Sequence, residues 1–226
     1  MKTSKIILTL LLITMAKSSY AQDWGNLDFY KNQNQELLAM ADSGKRIVLM
    51  GDSITQGWSE ANGNPAFFDG KPYINRGIGG QTTPQMLLRF RQDVIDLKPK
   101  IVVILAGTND IAENTGPVTL KMIMDNIVSM AEIAQANNIK VMLCSVLPAY
   151  DYPWKHGMEP AGKIVALNSM IKAYADNHKI RYVDYFTAMK DERNGLKAAY
   201  SEDGVHPNKT GYQTMGPIME KTIQKH

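Results

Sequence analysis

A single cysteine, Cys144, occurs in the 226 residues. One thiol cannot close an internal disulfide, so the fold has no covalent staple. Its setting, Lys140-Val141-Met142-Leu143-Cys144-Ser145-Val146-Leu147, reads as a buried strand, where sulfur acts as a small core hydrophobe rather than a nucleophile. Low-complexity tracts and internal repeats are missing, which excludes a repeat array or a disordered linker protein. No cluster of metal-ligating side chains stands at the spacings metals require, so neither a metal nor another cofactor is expected. No stretch is apolar for long enough to span a bilayer; the N-terminal run Ile6–Ala16 is too short to cross one comfortably. An excess of charge is missing too. The net charge of +3 belongs to Lys2, Lys5 and Lys17; without residues 1–21 the chain carries 22 basic and 22 acidic residues and a net charge of zero. That balance gives no support for a nucleic-acid partner.

The first 21 residues differ from the rest. Two lysines lie within Met1–Lys5, an apolar run follows over Ile6–Ala16, and Ser19-Tyr20-Ala21 places small residues where a signal peptidase reads them. The order of these regions predicts a signal peptide over 1–21, hence export to the periplasm or the medium; a buried N-terminal helix fits that order less well. No cysteine lies near the cleavage point, so a lipid-modified terminus is not expected. Residues 22–226 are expected to form one domain.

Through that segment, strand-like and helix-like stretches alternate. Strands are expected at 46–50, 73–75, 100–106, 140–147 and 180–183, and helices over 36–41, 84–97, 117–137, 160–177 and 209–224. Met86, Phe90, Val94 and Leu97 fall at helical spacing, as do Ile164, Leu167, Ile171 and Tyr174. Gly216-Pro217 is expected to bend the last helix. The alternation predicts an α/β protein: a three-layer α/β/α sandwich around a five-stranded parallel sheet in flavodoxin-like order.

Three groups with chemistry follow strands and so reach the carboxyl edge of the sheet, where ligands bind in such folds. Ser53 follows the first strand in Gly51-Asp52-Ser53-Ile54-Thr55. Gly79-Gly80 follows the second and can offer unblocked backbone N–H groups. Asn109 follows the third in Gly107-Thr108-Asn109-Asp110 and offers a side-chain amide. Together they contain the parts of an oxyanion hole. A serine nucleophile also needs a base. Of the four histidines, His226 is terminal and His178 sits at a helix C-terminus, suited to the last carbonyls. His156 lies in the aromatic loop Tyr150-Asp151-Tyr152-Pro153-Trp154-Lys155-His156. His206 lies in Asp203-Gly204-Val205-His206-Pro207, where Asp203 can turn back to hold the imidazole. Taken alone, His206 reads better as an ordinary loop histidine ahead of a helix. Asp52 reads as a turn-stabilising carboxylate and Asp110 as a helix-start or local structural group.

These four blocks resemble, in order and spacing, those of the GDSL/SGNH hydrolases, over residues 46–213. The Gly-Ile-Gly-Gly-Gln-Thr-Thr stretch is most similar to the branch with the platelet-activating-factor acetylhydrolase catalytic subunits and bacterial carbohydrate esterases. The resemblance implies Ser53 as nucleophile, His206 as general base and Asp203 as its partner. It implies an oxyanion hole of the Ser53 and Gly80 N–H groups and the Asn109 amide, and chemistry without a metal. Gly-Asp-Ser-Ile-Thr lacks the second glycine of the α/β-hydrolase elbow.

The expected reaction is ester hydrolysis through an acyl-enzyme, with a small acyl group, acetyl, carried on a carbohydrate, as a small-molecule or polysaccharide ester. Export brings the chain to extracytoplasmic material, no long apolar insertion is present to hold a fatty chain, and Tyr150, Trp154 and His156 could line a sugar site. That loop reads equally as packing over the sheet edge. A lysophospholipase or thioesterase is the rival enzyme, and a non-catalytic, flavin-binding module on a flavodoxin-like sheet the rival of another class.

Overall fold

The computed structural model describes residues 23–40 and 44–224; the expected signal peptide lies outside them. Five short stretches form strands: β1 (Ile47–Gly51), β2 (Tyr73–Gly77), β3 (Ile101–Leu105), β4 (Lys140–Cys144) and β5 (Arg181–Val183), with β1 and β3 apolar throughout. They pair in the order β2-β1-β3-β4-β5, every pair parallel. This is the flavodoxin-like order expected from the alternation.

Helices cover both faces, as parallel sheets require. In chain order they are α1 (Lys31–Ala39), α2 (Ser53–Trp58), α3 (Thr83–Phe90), α4 (Thr108–Ile111), α5 (Leu120–Ala136), α6 (Pro160–Asn177), α7 (Tyr185–Met189) and α8 (Lys209–Gln224). Successive strand residues face opposite ways, and the two cores follow that period. Val48, Met50, Val102 and Ile104 pack with Met86 and Phe90 of α3, Ile123 and Ile127 of α5, and Ile164 and Leu167 of α6. Ile47, Leu49, Val103 and Leu105 pack with Ile54 and Trp58 of α2, Met189 of α7, and Tyr212, Met215 and Met219 of α8. The thiol of Cys144 is buried in this second core, which raises its pKa.

Several boundaries depart from expectation. The first helix begins at Lys31 rather than near Glu36, because buried Asn34 is held by tertiary partners: its Nδ2 donates to Asp93 Oδ1 at 2.7 Å, and its Oδ1 accepts from Arg76 Nε at 2.9 Å. Strand β2 continues to Gly77, since pairing with β1 carries the ladder two residues further. After α3 the backbone widens into a π turn over Arg91–Ile95. Helix α7 lies at Tyr185–Met189, where no helix was expected. Helix α8 continues through Pro217 to Gln224. Among the described residues, no helix is long and apolar enough to cross a membrane.

Two contacts carry this frame to the sheet edge. Gly51 ends β1 where a Cβ would sit 2.0 Å from Thr55 Oγ1 and 2.9 Å from Leu105 O. Only glycine lets α2 turn this tightly out of the strand. Trp58 of α2 stacks on Tyr212 of α8 at 5.6 Å, and the Tyr212 hydroxyl donates to Ile54 O at 2.8 Å. An early helix is thereby joined to the last one, just after His206.

Candidate active site

Ser53 is the first residue of α2. Asp52 caps that helix, accepting from Ile54 N–H at 2.9 Å, so it is the turn-stabilising carboxylate read from the sequence. Complete burial pushes its pKa up to about 7, against the pull of the Ile54 N–H and the His206 charge. The Ser53 hydroxyl lies 2.9 Å from His206 Nε2, and His206 Nδ1 lies 2.7 Å from Asp203 Oδ2. A carboxylate beside Nδ1 favours the tautomer protonated there and leaves Nε2 to accept from the serine.

The loop holding this pair is itself fixed. Asp203 Oδ1 accepts from the His206 N–H at 2.8 Å, the Val205 N–H at 2.9 Å and the Ser201 hydroxyl at 3.0 Å. Ser201 also bridges to Pro207 across the loop. Partial burial pushes the Asp203 carboxyl up, but hydrogen bonds from the His206 ring and from the His206 and Val205 N–H groups outweigh it and hold it at about 2. It is ionised throughout the neutral range and can stabilise an imidazolium.

The oxyanion elements follow adjacent strand ends, since Gly51 pairs with Gly77 on one side and Leu105 on the other. Gly80 adopts φ +75°, a conformation that suits glycine. Its N–H has no acceptor among the described residues. The Ser53 N–H, at the start of a helix, has none either. Gly79 does not contribute in the same way: its N–H is taken by Gln56 Oε1 at 2.7 Å. Asn109 Nδ2 donates to Gln81 O at 3.0 Å and keeps a second N–H to give. A serine hydroxyl bonded to an imidazole, with N–H groups open at the ends of the neighbouring strands, is an arrangement suited to attack on a carbonyl.

Two supporting residues, Asn114 and Arg89, escaped the sequence reading, whereas Asp110 is the local structural group read there. Asn114 Nδ2 donates to Asn109 Oδ1 at 2.9 Å, which orients the Asn109 amide. Arg89, fully buried in α3, donates to Gln81 Oε1 at 2.6 Å, Gly51 O at 2.9 Å and Asp93 Oδ2 at 3.0 Å. It ties the end of β1 to the loop that carries Gly80. Asp110 caps α3 from outside, accepting from Thr83 N–H at 3.0 Å and Thr83 Oγ1 at 2.6 Å. The spacing of Arg89 and Asp93 with Met86 and Phe90 was the available signal for the buried pair.

The aromatic loop divides. Trp154 lies with its ring 5.9 Å from that of His206 and donates from Nε1 to Asn114 Oδ1 at 3.2 Å. His156 is exposed and bonds Asp151 at 2.7 Å. The Arg193 guanidinium covers Tyr150, which borders a separate hollow with Asp151, Gly157 and Glu159. His178 bonds Tyr174 O at 2.9 Å, as a helix-end histidine should.

A cleft of about 320 Å³ opens beside Ser53 and His206, walled by Gln56, Gly57, Glu60, Asn62, Gly63, Gly79, Pro207 and Tyr212. A hollow of about 420 Å³ among Trp24, Pro84, Val118 and Met122 holds none of Ser53, His206 or Asp203.

Residues 49–214 match the family described as GDSL-like Lipase/Acylhydrolase. The crystal structure of a proposed acylhydrolase from Bacteroides fragilis is similar, with 48% identity, TM-score 0.86 and coverage of 90% of this chain and 98% of that one. The uncharacterized lipoprotein YqeF of Bacillus subtilis is 40% identical over 86 residues, 37% of this chain and 35% of that protein, so the match spans about a third of YqeF. Esterase TesA of Pseudomonas aeruginosa is 27% identical over 76% of this chain and 84% of TesA. An acetylxylan esterase of Xylanibacter ruminicola is 24% identical over 79% of this chain and 43% of that protein.

Proposed function

The chain belongs to the GDSL-like lipase/acylhydrolase family and is a carboxylic ester hydrolase, and on that premise we propose that it is exported and removes acetyl groups from a carbohydrate. In this reading Ser53 is the nucleophile, His206 the general base and Asp203 the group that orients it. The reading is carried by one observation, the hydrogen-bonded run from Ser53 Oγ through His206 to Asp203 at 2.9 and 2.7 Å.

The steps follow from that run. Nε2 takes the hydroxyl proton as Ser53 Oγ bonds to the ester carbonyl carbon, and Asp203 balances the imidazolium. The Ser53 and Gly80 N–H groups and the Asn109 amide receive the carbonyl oxygen as it becomes negative. Nε2 returns the proton to the alkoxide as the ester bond breaks. A water molecule, deprotonated by the same nitrogen, then attacks the acyl-serine; the acyl–Oγ bond breaks, Nε2 returns the proton to Ser53 Oγ, and acetate leaves.

Support for a carbohydrate comes from the site's surroundings. Trp154 offers an exposed indole beside His206 on which a sugar ring can stack. Tyr150 and His156, further along the same loop, could meet a longer saccharide. Similarity to an acetylxylan esterase points the same way. Export is supported by the charged, apolar and small-residue order of residues 1–21 and by similarity to a protein named as a lipoprotein.

Acetate release from a panel of acetylated sugars and polysaccharides tests the reading, beside 4-nitrophenyl esters of increasing chain length. Acetate release with the two-carbon ester much faster than the eight-carbon one is the expected result. Preference for the eight-carbon ester without release from any sugar overturns it in favour of a lipid acyl substrate.

A further inference from the structure

We infer that the cleft between Gln56–Gly63 and His206-Pro207 seats the alcohol half of the ester, and that it takes a polyhydroxylated ring through Glu60, Gln56 and Asn62. The inference rests on the carbohydrate reading above and names where that sugar binds.

The position follows from the proton's route. The departing oxygen must come within reach of His206 Nε2, because that nitrogen protonates it. His206, Pro207 and Ser53 all line the cleft. Gly80 and Asn109 do not line it, so a carbonyl oxygen directed at them points out of the cleft. The space on the His206 side is left for the alcohol.

The chemistry of the walls selects the occupant. Gln56 is held by accepting from the Gly79 N–H at 2.7 Å and donates from Nε2 to Glu60 Oε1 at 3.0 Å. Glu60 Oε2 and the Asn62 amide have no partner among the described residues. A carboxylate with a free oxygen accepts strongly from hydroxyl donors, and an amide can both give and accept. Beyond Pro207 and Tyr212, no large apolar side chain lines the cleft, so a fatty chain would strand these polar groups without partners. The Glu60 charge also disfavours an alcohol that bears phosphate, as a lysophospholipid would. At about 320 Å³ the cleft is at the small end of ligand sites, which suits one sugar unit.

The test measures kcat/KM of the full chain for a monoacetylated methyl xyloside, for acetylcholine and for 4-nitrophenyl acetate. In Glu60→Ala, the ratio of xyloside to nitrophenyl ester should fall about tenfold, carried by KM, as expected when a hydrogen bond to a charged group is lost. Glu60→Gln, which keeps an acceptor for Gln56, should fall less, and Asn62→Ala should fall in the same direction. An unchanged xyloside ratio in both Glu60→Ala and Asn62→Ala, with wild-type xyloside still hydrolysed, overturns this inference alone. A fall confined to acetylcholine overturns it in favour of a cation site. Wild-type protein that cleaves the nitrophenyl ester but no acetylated sugar overturns the carbohydrate reading and this inference with it.

Discussion

Asn114 sets which way the Asn109 amide faces: its Nδ2 donates to Asn109 Oδ1 at 2.9 Å, leaving the Asn109 nitrogen for Gln81 O and for a developing oxyanion. Removing the Asn109 amide in Asn109→Ala should lower kcat about 10²–10³-fold. Asn114→Asp places an acceptor against Asn109 Oδ1 and should turn the amide over, with a kcat loss close to that of Asn109→Ala. Asn114→Ala removes the restraint without reversing it and should cost less. Steady-state kinetics of the three variants on one ester checks that order.

Ser53 and His206 act as a unit in the proposed reaction, so their removal should not be additive. Ser53→Ala, His206→Ala and the double variant are each expected to lose turnover by a similar factor, on the order of 10⁶. Rates on 4-nitrophenyl acetate, corrected for spontaneous hydrolysis, decide this. A double variant much slower than either single one would mean that the two side chains act separately.

Arg89 and Asp93 are both fully buried and pair at 3.0 Å. Arg89→Met leaves the Asp93 charge without its main partner and leaves Gly51 O with the Ile78 N–H alone, so it should cost about 3–5 kcal/mol of stability. Asn34 still donates to Asp93, which keeps the loss from being larger. Urea unfolding of wild type and variant measures the difference. Replacing both residues by apolar ones of similar volume should recover part of it.

Asp52 makes stability depend on pH in a defined direction. Its pKa is about 7 in the fold, against an ordinary carboxylate value of 3.8 in the unfolded chain. Between those values the folded state binds more protons than the unfolded one, so stability falls as pH rises toward 7. Asp52→Asn keeps a capping oxygen for Ile54 and removes the titration. Its stability relative to wild type should rise by about 2–3 kcal/mol between pH 5 and pH 8. Urea midpoints at the two pH values give the comparison. Asp203 acts with the opposite sign: its contribution is present above about pH 4 and is lost as pH falls toward 2.

The parallel sheet was legible because its strands announce themselves locally. Ile101–Leu105 is apolar throughout, and turns and glycines bound it. Ser53 was legible because it follows a strand, and Asp203 with His206 because three residues of loop bring them together. What escaped depends on contacts far apart in the chain. Arg89 and Asp93 share the stripe of Met86 and Phe90, yet charged residues in a stripe usually signal a helix edge rather than its buried centre. Asn34 looks like a surface amide until Arg76 and Asp93 arrive from other elements. Asn114 lies in irregular backbone, where no period marks a buried face. Gly79 and Gly80 are alike as letters; only the Gln56 side chain separates the spent N–H from the open one.

The hydroxyl and the imidazole that meet at the sheet edge lie 153 positions apart, and α8, which follows the imidazole, is what Tyr212 fastens to α2. Chain order therefore acts as a timer. A ribosome halfway through synthesis holds a polypeptide with its serine already made and no partner to activate it. The same is true of any narrow channel that passes the chain unfolded. Under the proposed mechanism, the protein acts on an ester only once its final helix has seated.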